Sequence, residues 1–333
     1  MNLLLVSPVS PRSRTGNGVT VRRYAAIFRT LGHRVRIASE CPDGTWDVLV
    51  ALHARKSARA IRTFARRYPG RPIVVVLTGT DLYRDAARGR TVWRVLERAD
   101  AVVTLQPRAL RRLPPSLRRK AVAIVQSASC PRPVPGVRNG DTLRVCVIGH
   151  LRREKDPFRT AYALRLLPRR FAIEVVHIGG ILDPAYERRA DAITTREPRY
   201  RFLGDVPRTR ALRVLRTSDV MVLASRMEGG ANVLSEAIAC GTPVFASRID
   251  GNVGILGARY PGYFDVGDTA ALARLLRRAY EDRDFLADVR RRIVARRPLV
   301  SPKRERASWR RLLAAVANGV TKRASGAGAR ARR

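Results

Sequence analysis

The sequence predicts an α/β protein made of two Rossmann-like domains in tandem. Three observations carry this. At 333 residues the chain exceeds one ordinary core and suits two domains of roughly 100–200 residues each. Short continuous apolar runs alternate with amphipathic helical stretches, the pattern of parallel strands buried on both faces and joined by crossover helices. A Pro/Gly-rich break, Cys130-Pro131-Arg132-Pro133-Val134-Pro135-Gly136, interrupts the pattern, and a second series follows it.

In order, the first half offers strands at Leu3–Ser7, Val35–Ala38, Val48–Leu52, Ile73–Leu77, Ala101–Leu105 and Val122–Val125. Helices are expected between them at Val19–Leu31, Ser57–Tyr68, Val92–Ala99 and Arg108–Leu113. The second half offers strands at Leu143–Ile148, Ile173–Ile178, Tyr200–Leu203, Val220–Leu223 and Pro243–Ala246. Its helices are expected at Pro157–Leu167, Pro184–Arg196, Arg208–Arg216, Val233–Ala239 and Thr269–Tyr280. The domains are therefore 1–136 and 137–302, with a helix over 303–320 and a disordered basic tail over 321–333. Two such halves are expected to face one another across a cleft at the carboxyl ends of their strands, where open parallel sheets bind ligands.

The net charge of +39 raises nucleic acid or an anionic membrane as a partner. The charge is nearly all arginine and is spread along the whole chain, as a GC-rich coding sequence alone would produce. Aromatic residues make up 6% and are not interleaved with the basic runs, so the stacking platform of a single-strand binder is missing. No specific nucleic-acid partner is expected, whereas a phosphate-bearing substrate would be drawn to this surface. No run approaches the roughly 18 apolar residues of a membrane span, and MNLLLVSP is too short for a signal h-region. The expectation is a cytoplasmic protein without stable membrane insertion. Cys41, Cys130, Cys146 and Cys240 are scattered without a CxxC pair, which indicates neither a disulfide framework nor a zinc site. The sequence leaves the oligomeric state open.

The most specific signal is Glu228-Gly229-Gly230-Ala231-Asn232-Val233-Leu234-Ser235-Glu236, directly after the strand near Val220. With Asn232 near the helix N-cap, Glu228 lies in the loop and Glu236 in the second turn, so both can line one ligand. The amides of Gly229 to Val233 would face an anion, helped by the helix dipole. Carboxylates for vicinal hydroxyls beside amides for phosphates suit a sugar nucleotide. An ordinary strand–loop–helix with two surface acids has the same spacing, so spacing alone leaves both readings open.

Gly149-His150-Leu151-Arg152-Arg153-Glu154-Lys155-Asp156-Pro157 follows the first strand of the second half. Its cations, at the mouth of the same cleft, can neutralise a diphosphate leaving group; a solvated basic loop is the alternative. Thr15-Gly16-Asn17-Gly18 is a glycine turn opening the first helix and places amides, Gly18 among them, on the other side of the cleft. Asp282-Arg283-Asp284 resembles an Asp-x-Asp metal motif but follows a helix and reads as a solvated turn. His33 reads as structural and His177 as a satisfied core histidine. His53 and Asp81 end strands at the expected cleft and stand between acceptor site and structural corner.

This layout resembles the retaining nucleotide-sugar glycosyltransferases of GT-B architecture over nearly the whole chain. By that resemblance Glu228 meets the sugar hydroxyls, Glu236 the ribose, and Lys155 the diphosphate, with Lys155 and Glu228 as catalytic residues. The family's arginine position holds His150 here, so the phosphate contact shifts to His150, Arg152 or Arg153. The phrases VLTGTDLYRD (76–85), ALHARKSA (51–58) and GHLRREKDPFRTA (149–161) resemble more closely the selenosugar synthases of selenoneine biosynthesis. Those enzymes couple selenophosphate to UDP-N-acetylglucosamine or UDP-glucose through a carbon–selenium bond. Thr78-Gly79-Thr80-Asp81 replaces the broad family's His-Gly segment, removing a histidine that serves sugar acceptors.

The resemblance implies UDP-hexose and selenophosphate as substrates, with no metal cofactor. Selenophosphate is already anionic, so the absence of a convincing Asp–His or Glu–His pair in the first half is consistent with it. The acceptor pocket is expected from Arg12, Arg14, Thr15, Gly16 and Asn17, with Thr80 and Asp81 nearby. Two alternatives stand beside this: a GT-B transferase with a sugar or lipid-linked acceptor, and a basic nucleic-acid-binding protein.

Overall fold

The computed structural model describes residues 1–131 and 141–330, so the linker expected at 130–136 lies outside the described residues beyond Pro131. The chain divides into two compact units, Met1–Gln126 with Pro302–Arg333, and Ser127–Ser301.

Unit 1 contains β1 (Asn2–Val6), α1 (Gly16–Thr30), β2 (Arg34–Ala38), β3 (Val48–Leu52), α2 (Ala58–Arg67), β4 (Ile73–Val76), α3 (Thr91–Arg98), β5 (Ala101–Thr104), α4 (Pro115–Arg118) and β6 (Ala121–Ala123). Its strands form one parallel sheet in the order β2-β1-β3-β4-β5-β6. Strand alternation sorts the apolar residues onto two faces. Leu4, Leu49 and Val75 pack with Ile61 and Phe64 of α2 and Leu96 of α3. Leu3, Leu5, Val50 and Val76 pack with Tyr24 and Phe28 of α1. The edge strand β2 carries exposed arginines, whereas β1, β3, β4 and β5 are almost wholly buried, as their unbroken apolar runs require.

Unit 2 contains β7 (Leu143–Ile148), α5 (Arg159–Leu164), β8 (Ile173–Ile178), α6 (Glu187–Arg196), β9 (Tyr200–Phe202), α7 (Arg208–Thr217), β10 (Val220–Leu223), α8 (Asn232–Cys240), β11 (Val244–Ser247), α9 (Asp250–Leu256), β12 (Tyr263–Phe264), α10 (Thr269–Glu281) and α11 (Arg283–Val294). The parallel order β9-β8-β7-β10-β11-β12 is the doubly wound dinucleotide-binding order, with its reversal point between β7 and β10. Asp282 ends α10 and caps α11, its carboxylate accepting the Phe285 amide at 2.8 Å. The expected solvated turn is thus a capped helix junction.

The last helix, α12 (Pro302–Arg330), belongs to unit 1. Trp309 is fully buried, with ring centroids 4.8 Å from Tyr24 and 5.0 Å from Phe28. Two expectations are corrected here. The unit boundary falls at Gln126 rather than 136, and the terminal helix completes the first core instead of standing apart, because an aromatic pocket on α1 takes its indole. The helix also runs through most of the stretch expected as a disordered tail; residues 331–333 lie outside the described residues. Among the described residues no helix is long and apolar enough to cross a membrane.

Candidate active site

The reversal point of unit 2 brings together the two loops that carry the strongest sequence signals, one after β7 and one after β10. The backbone amide of Arg226 donates to the Glu154 carbonyl at 2.8 Å, tying the loops together. Across this joint Lys155 Nζ lies 2.5 Å from Glu228 Oε1, and the Ser225 hydroxyl donates to the same oxygen at 2.6 Å. Both side chains are largely buried, at 16% and 11% exposed. A polar ladder stiffens the loop behind Glu228. Ser247 Oγ donates to the Ser225 carbonyl at 2.5 Å, and Asn252 Nδ2 to the Ser247 carbonyl at 2.9 Å. A Cβ at Gly251 would lie 2.2 Å from the Glu228 carbonyl oxygen, so only glycine lets α9 pass so close.

The loop after β7 is set by a buried histidine. His177 Nε2 is 2.9 Å from the Gly149 carbonyl, which can only accept, so Nε2 carries the proton and Nδ1 accepts from the Tyr200 hydroxyl. Burial pushes His177 down to about 4, which keeps it neutral and makes it the satisfied core histidine expected. His150 Nδ1 accepts the Gly180 amide at 2.9 Å. Arg152 Nε is buried and has no hydrogen-bond partner among the described residues. Arg153 is exposed and helps line a cavity of about 300 Å3 with Arg159, Arg189 and Arg226.

Helix α8 begins one residue earlier than expected: Ala231 is the N-cap and Asn232 the first helical residue. Its opening turn follows Gly229 and Gly230, and includes Val233, so the amides that helix geometry leaves without intrahelical acceptors stand beside Glu228 in sequence. Glu236 lies in the second turn and its Oε1 meets Arg208 Nη2 of α7 at 2.5 Å. Glu228 and Glu236 are therefore each held by a different cation.

In unit 1, α1 starts at Gly16 rather than Val19, with Thr15 as its N-cap. Thr15 Oγ1 pairs with Ser13 Oγ at 2.8 Å. Arg12, Arg14 and Gly16 are exposed, and Asn17 is half-buried. Gly18, expected to face phosphate, is buried. A Cβ there would lie 2.2 Å from the Ser13 carbonyl oxygen, so this glycine is needed for the loop to fold over the helix. Asp81, expected in the acceptor pocket, is fully buried with both oxygens engaged. Oδ1 accepts the Thr78 amide at 2.7 Å, the Thr78 hydroxyl at 3.0 Å and the Leu82 amide at 3.1 Å, while Oδ2 accepts the Ala54 amide at 3.0 Å. It is a structural corner binding the loops after β3 and β4, because a buried carboxylate needs such donors. Thr80 is half-buried and its hydroxyl lies 3.0 Å from His53 Nε2.

Sequence reasoning missed the cluster around His53. The expectation that the first half lacks an Asp–His pair is corrected: His53 Nδ1 is 3.8 Å from Asp81 Oδ2, and Nε2 is 3.9 Å from Asp85 Oδ2. Asp85 closes a π-helical turn over Asp81–Asp85 and also meets Arg84 and Arg55. The partners sit 28 and 32 residues from His53, joined only by the β3–β4 register that aligns Leu52 with Val76. Their one signal was that His53 and Asp81 each end a strand. Among the described residues no three His, Cys, Asp or Glu side chains are grouped to hold a metal.

Residues 134–296, which fall in unit 2, match the family model described as glycosyl transferases group 1. The fold resembles the sucrose-phosphate synthase of Thermosynechococcus elongatus at 18% identity and a TM-score of 0.74, covering 94% of this chain and 99% of that one. The HepE protein of Anabaena, solved with UDP-glucose, matches at 16% identity and a TM-score of 0.71, over 98% of this chain and 100% of that one. A glycosyltransferase from Rickettsia africae matches at 14% identity and a TM-score of 0.72, over 93% and 97%. At these identities the likeness is one of fold. No curated protein matches the chain. Two parallel-sheet Rossmann-like units with GT-B glycosyltransferases as neighbours bear out the fold class expected from the sequence. The family match is confined to residues 134–296, and the neighbours speak for the fold alone.

Proposed function

We propose that the protein transfers a hexosyl group, N-acetylglucosamine or glucose, from a UDP-sugar to selenophosphate. The observation that carries the donor half is the buried Lys155–Glu228 pair at the reversal point of unit 2, where the two sequence motifs meet. Neighbours solved with UDP or UDP-glucose support uridine diphosphate as the carrier. In the reaction the selenium lone pair forms a bond to the anomeric carbon, and the bond from that carbon to the diphosphate oxygen breaks, its electron pair leaving with UDP. Lys155, Arg152 and the opening amides of α8 stabilise the charge that builds on this oxygen, with no metal required. Glu228 accepts from the sugar hydroxyls and Glu236 from the ribose.

The acceptor half rests on the phrases at 51–58, 76–85 and 149–161. Its test is mass-spectrometric product analysis with a panel of UDP-sugars, with and without selenophosphate. Carbon–selenium products that need both substrates support the reading, and glycosylated alcohols formed without selenophosphate overturn it. A second reading is favoured by the His53–Asp81–Asp85 cluster: a buried imidazole beside carboxylates is what a base for a sugar or lipid-linked hydroxyl acceptor would use.

A further inference from the structure

In unit 1 the strand order reverses between β1 and β3, and the residue following β3 is His53. Its backbone has φ of 67°, a left-handed conformation uncommon outside glycine and held only where the surroundings fix it. They do so here. The His53 amide donates to the Val76 carbonyl at 2.9 Å, the Ser57 amide donates to the His53 carbonyl at 3.0 Å, and the Ser57 hydroxyl donates to the Leu52 carbonyl at 2.6 Å. The ring, 1% exposed, is thereby turned onto the loop after β4.

Its proton can be placed from its partners. Nδ1 accepts the Lys56 amide at 3.4 Å, so in the neutral ring the proton is on Nε2, 3.0 Å from Thr80 Oγ1. Burial lowers the pKa of His53 and outweighs the pull of Asp81 and Asp85, which keeps the ring neutral. With Nε2 protonated, no ring lone pair faces Thr80. The imidazole donates and the Thr80 oxygen accepts, which turns the hydroxyl's own proton away from the ring. Thr80 is half-buried and has no other side-chain hydrogen bond among the described residues. Asp81 has its oxygens taken by four neutral donors, and Arg84 and Arg55 at Asp85 supply the positive charge that offsets the carboxylates near Thr80.

We propose that His53 is a positioning residue and not a base: through Nε2–H···Oγ1 it aims the Thr80 hydroxyl proton outward, as a donor to an acceptor that is already anionic and phosphate-like. The inference rests on the proposed function for the identity of that acceptor. It also decides against the hydroxyl-acceptor reading, because a base needs the opposite tautomer.

The test has three arms, all on the full-length protein. Long-range proton–nitrogen NMR should show His53 protonated at Nε2 and bare at Nδ1 near neutral pH; the reverse tautomer overturns the proposal. His53→Asn tolerates the left-handed backbone but is too short to reach Thr80, whereas His53→Gln carries an amide donor out to the Nε2 position. The Asn variant and Thr80→Val should each raise the Michaelis constant for selenophosphate about tenfold while that for the UDP-sugar stays within about twofold, and His53→Gln and Thr80→Ser should recover most of the loss. Equal shifts for both substrates, or no recovery, mean a merely structural histidine and overturn it. The third arm does not need turnover: inorganic phosphate should shift the Thr80 amide resonance in the wild type but not in Thr80→Val. Should selenophosphate prove not to be a substrate, the proposed function falls while tautomer and phosphate binding still decide the role of His53; a phosphate-insensitive Thr80 overturns that role.

Discussion

Lys155 and Glu228 neutralise one another in a largely buried pair, so each leaves an uncompensated charge when the other is removed. Lys155→Ala is expected to lower turnover by at least about a hundredfold, the scale for losing a group that stabilises developing charge, and Glu236→Ala by about as much through lost positioning of the donor. Steady-state rates on variants that keep the wild-type circular dichroism check this, and near-normal rates would remove these residues from the donor site. His177 gives a pH prediction. Its folded pKa of about 4 lies below the usual histidine value near 6.5, so between those values the unfolded chain binds more protons and stability falls as pH drops. Going from pH 7.5 to 4.5 should cost roughly 2–3 kcal/mol through this one ring. Urea unfolding at both pH values measures it, and His177→Gln should show a flatter profile.

At the scale of elements, the glycine turn opening α1 separates a structural from a binding role. A side chain at Gly18 would strike the Ser13 carbonyl at 2.2 Å, and backbone cannot step aside as a flexible side chain can. Gly18→Ala should therefore shift the 7–15 loop and raise the selenophosphate Michaelis constant several-fold, because it displaces Arg12 and Arg14 without removing them. Arg12→Ala giving a rise and Gly18→Ala none would mean the loop tolerates the clash. Strands β1, β3, β4 and β5 of unit 1 were legible because strands buried on both faces leave unbroken apolar runs such as Val48–Leu52. In unit 2, β12 is only two residues long and α9 seven, too short for either period to register. Helix α11 was missed because Asp282 closes α10 and opens α11, which erases the turn that would have separated them. The loops after β7 and β10 were legible because each is a continuous stretch after a strand. The His53 cluster was not, because register rather than sequence joins its parts, and neither was the packing of Gly18 on the Ser13 carbonyl, because a glycine serving close packing looks the same as one offering an amide.

On the scale of the whole molecule, the charge of +39 is distributed in a way that says little about a partner, since arginines serve many separate local tasks. Arg199 alone reaches Glu197 and the Leu164 carbonyl, while Arg23 meets Glu305 on α12. What the division into units does predict concerns the terminal helix. Unit 1 is discontinuous in sequence, its core closed by Trp309 and Leu313, which are 0% and 1% exposed. Trp309→Ala should cost about 3–5 kcal/mol, the usual range for emptying a buried tryptophan site. For a unit of this size that is roughly 10 °C in melting temperature. The loss belongs to unit 1, because the indole packs on Tyr24 and Phe28 of α1. The indole Nε1 is buried without a partner among the described residues, so Trp309→Phe keeps much of the aromatic contact and sheds an unsatisfied donor. It should lose far less, about 1–2 kcal/mol. UDP binding, which the proposed function puts in unit 2, should keep its affinity in both variants at temperatures below the lowered transition. Calorimetry of the two variants with and without UDP measures all of this. A Phe variant as unstable as the Ala variant would show that the indole nitrogen has a partner after all, and UDP affinity lost in step with unit 1 stability would show that the donor site depends on the α12 core.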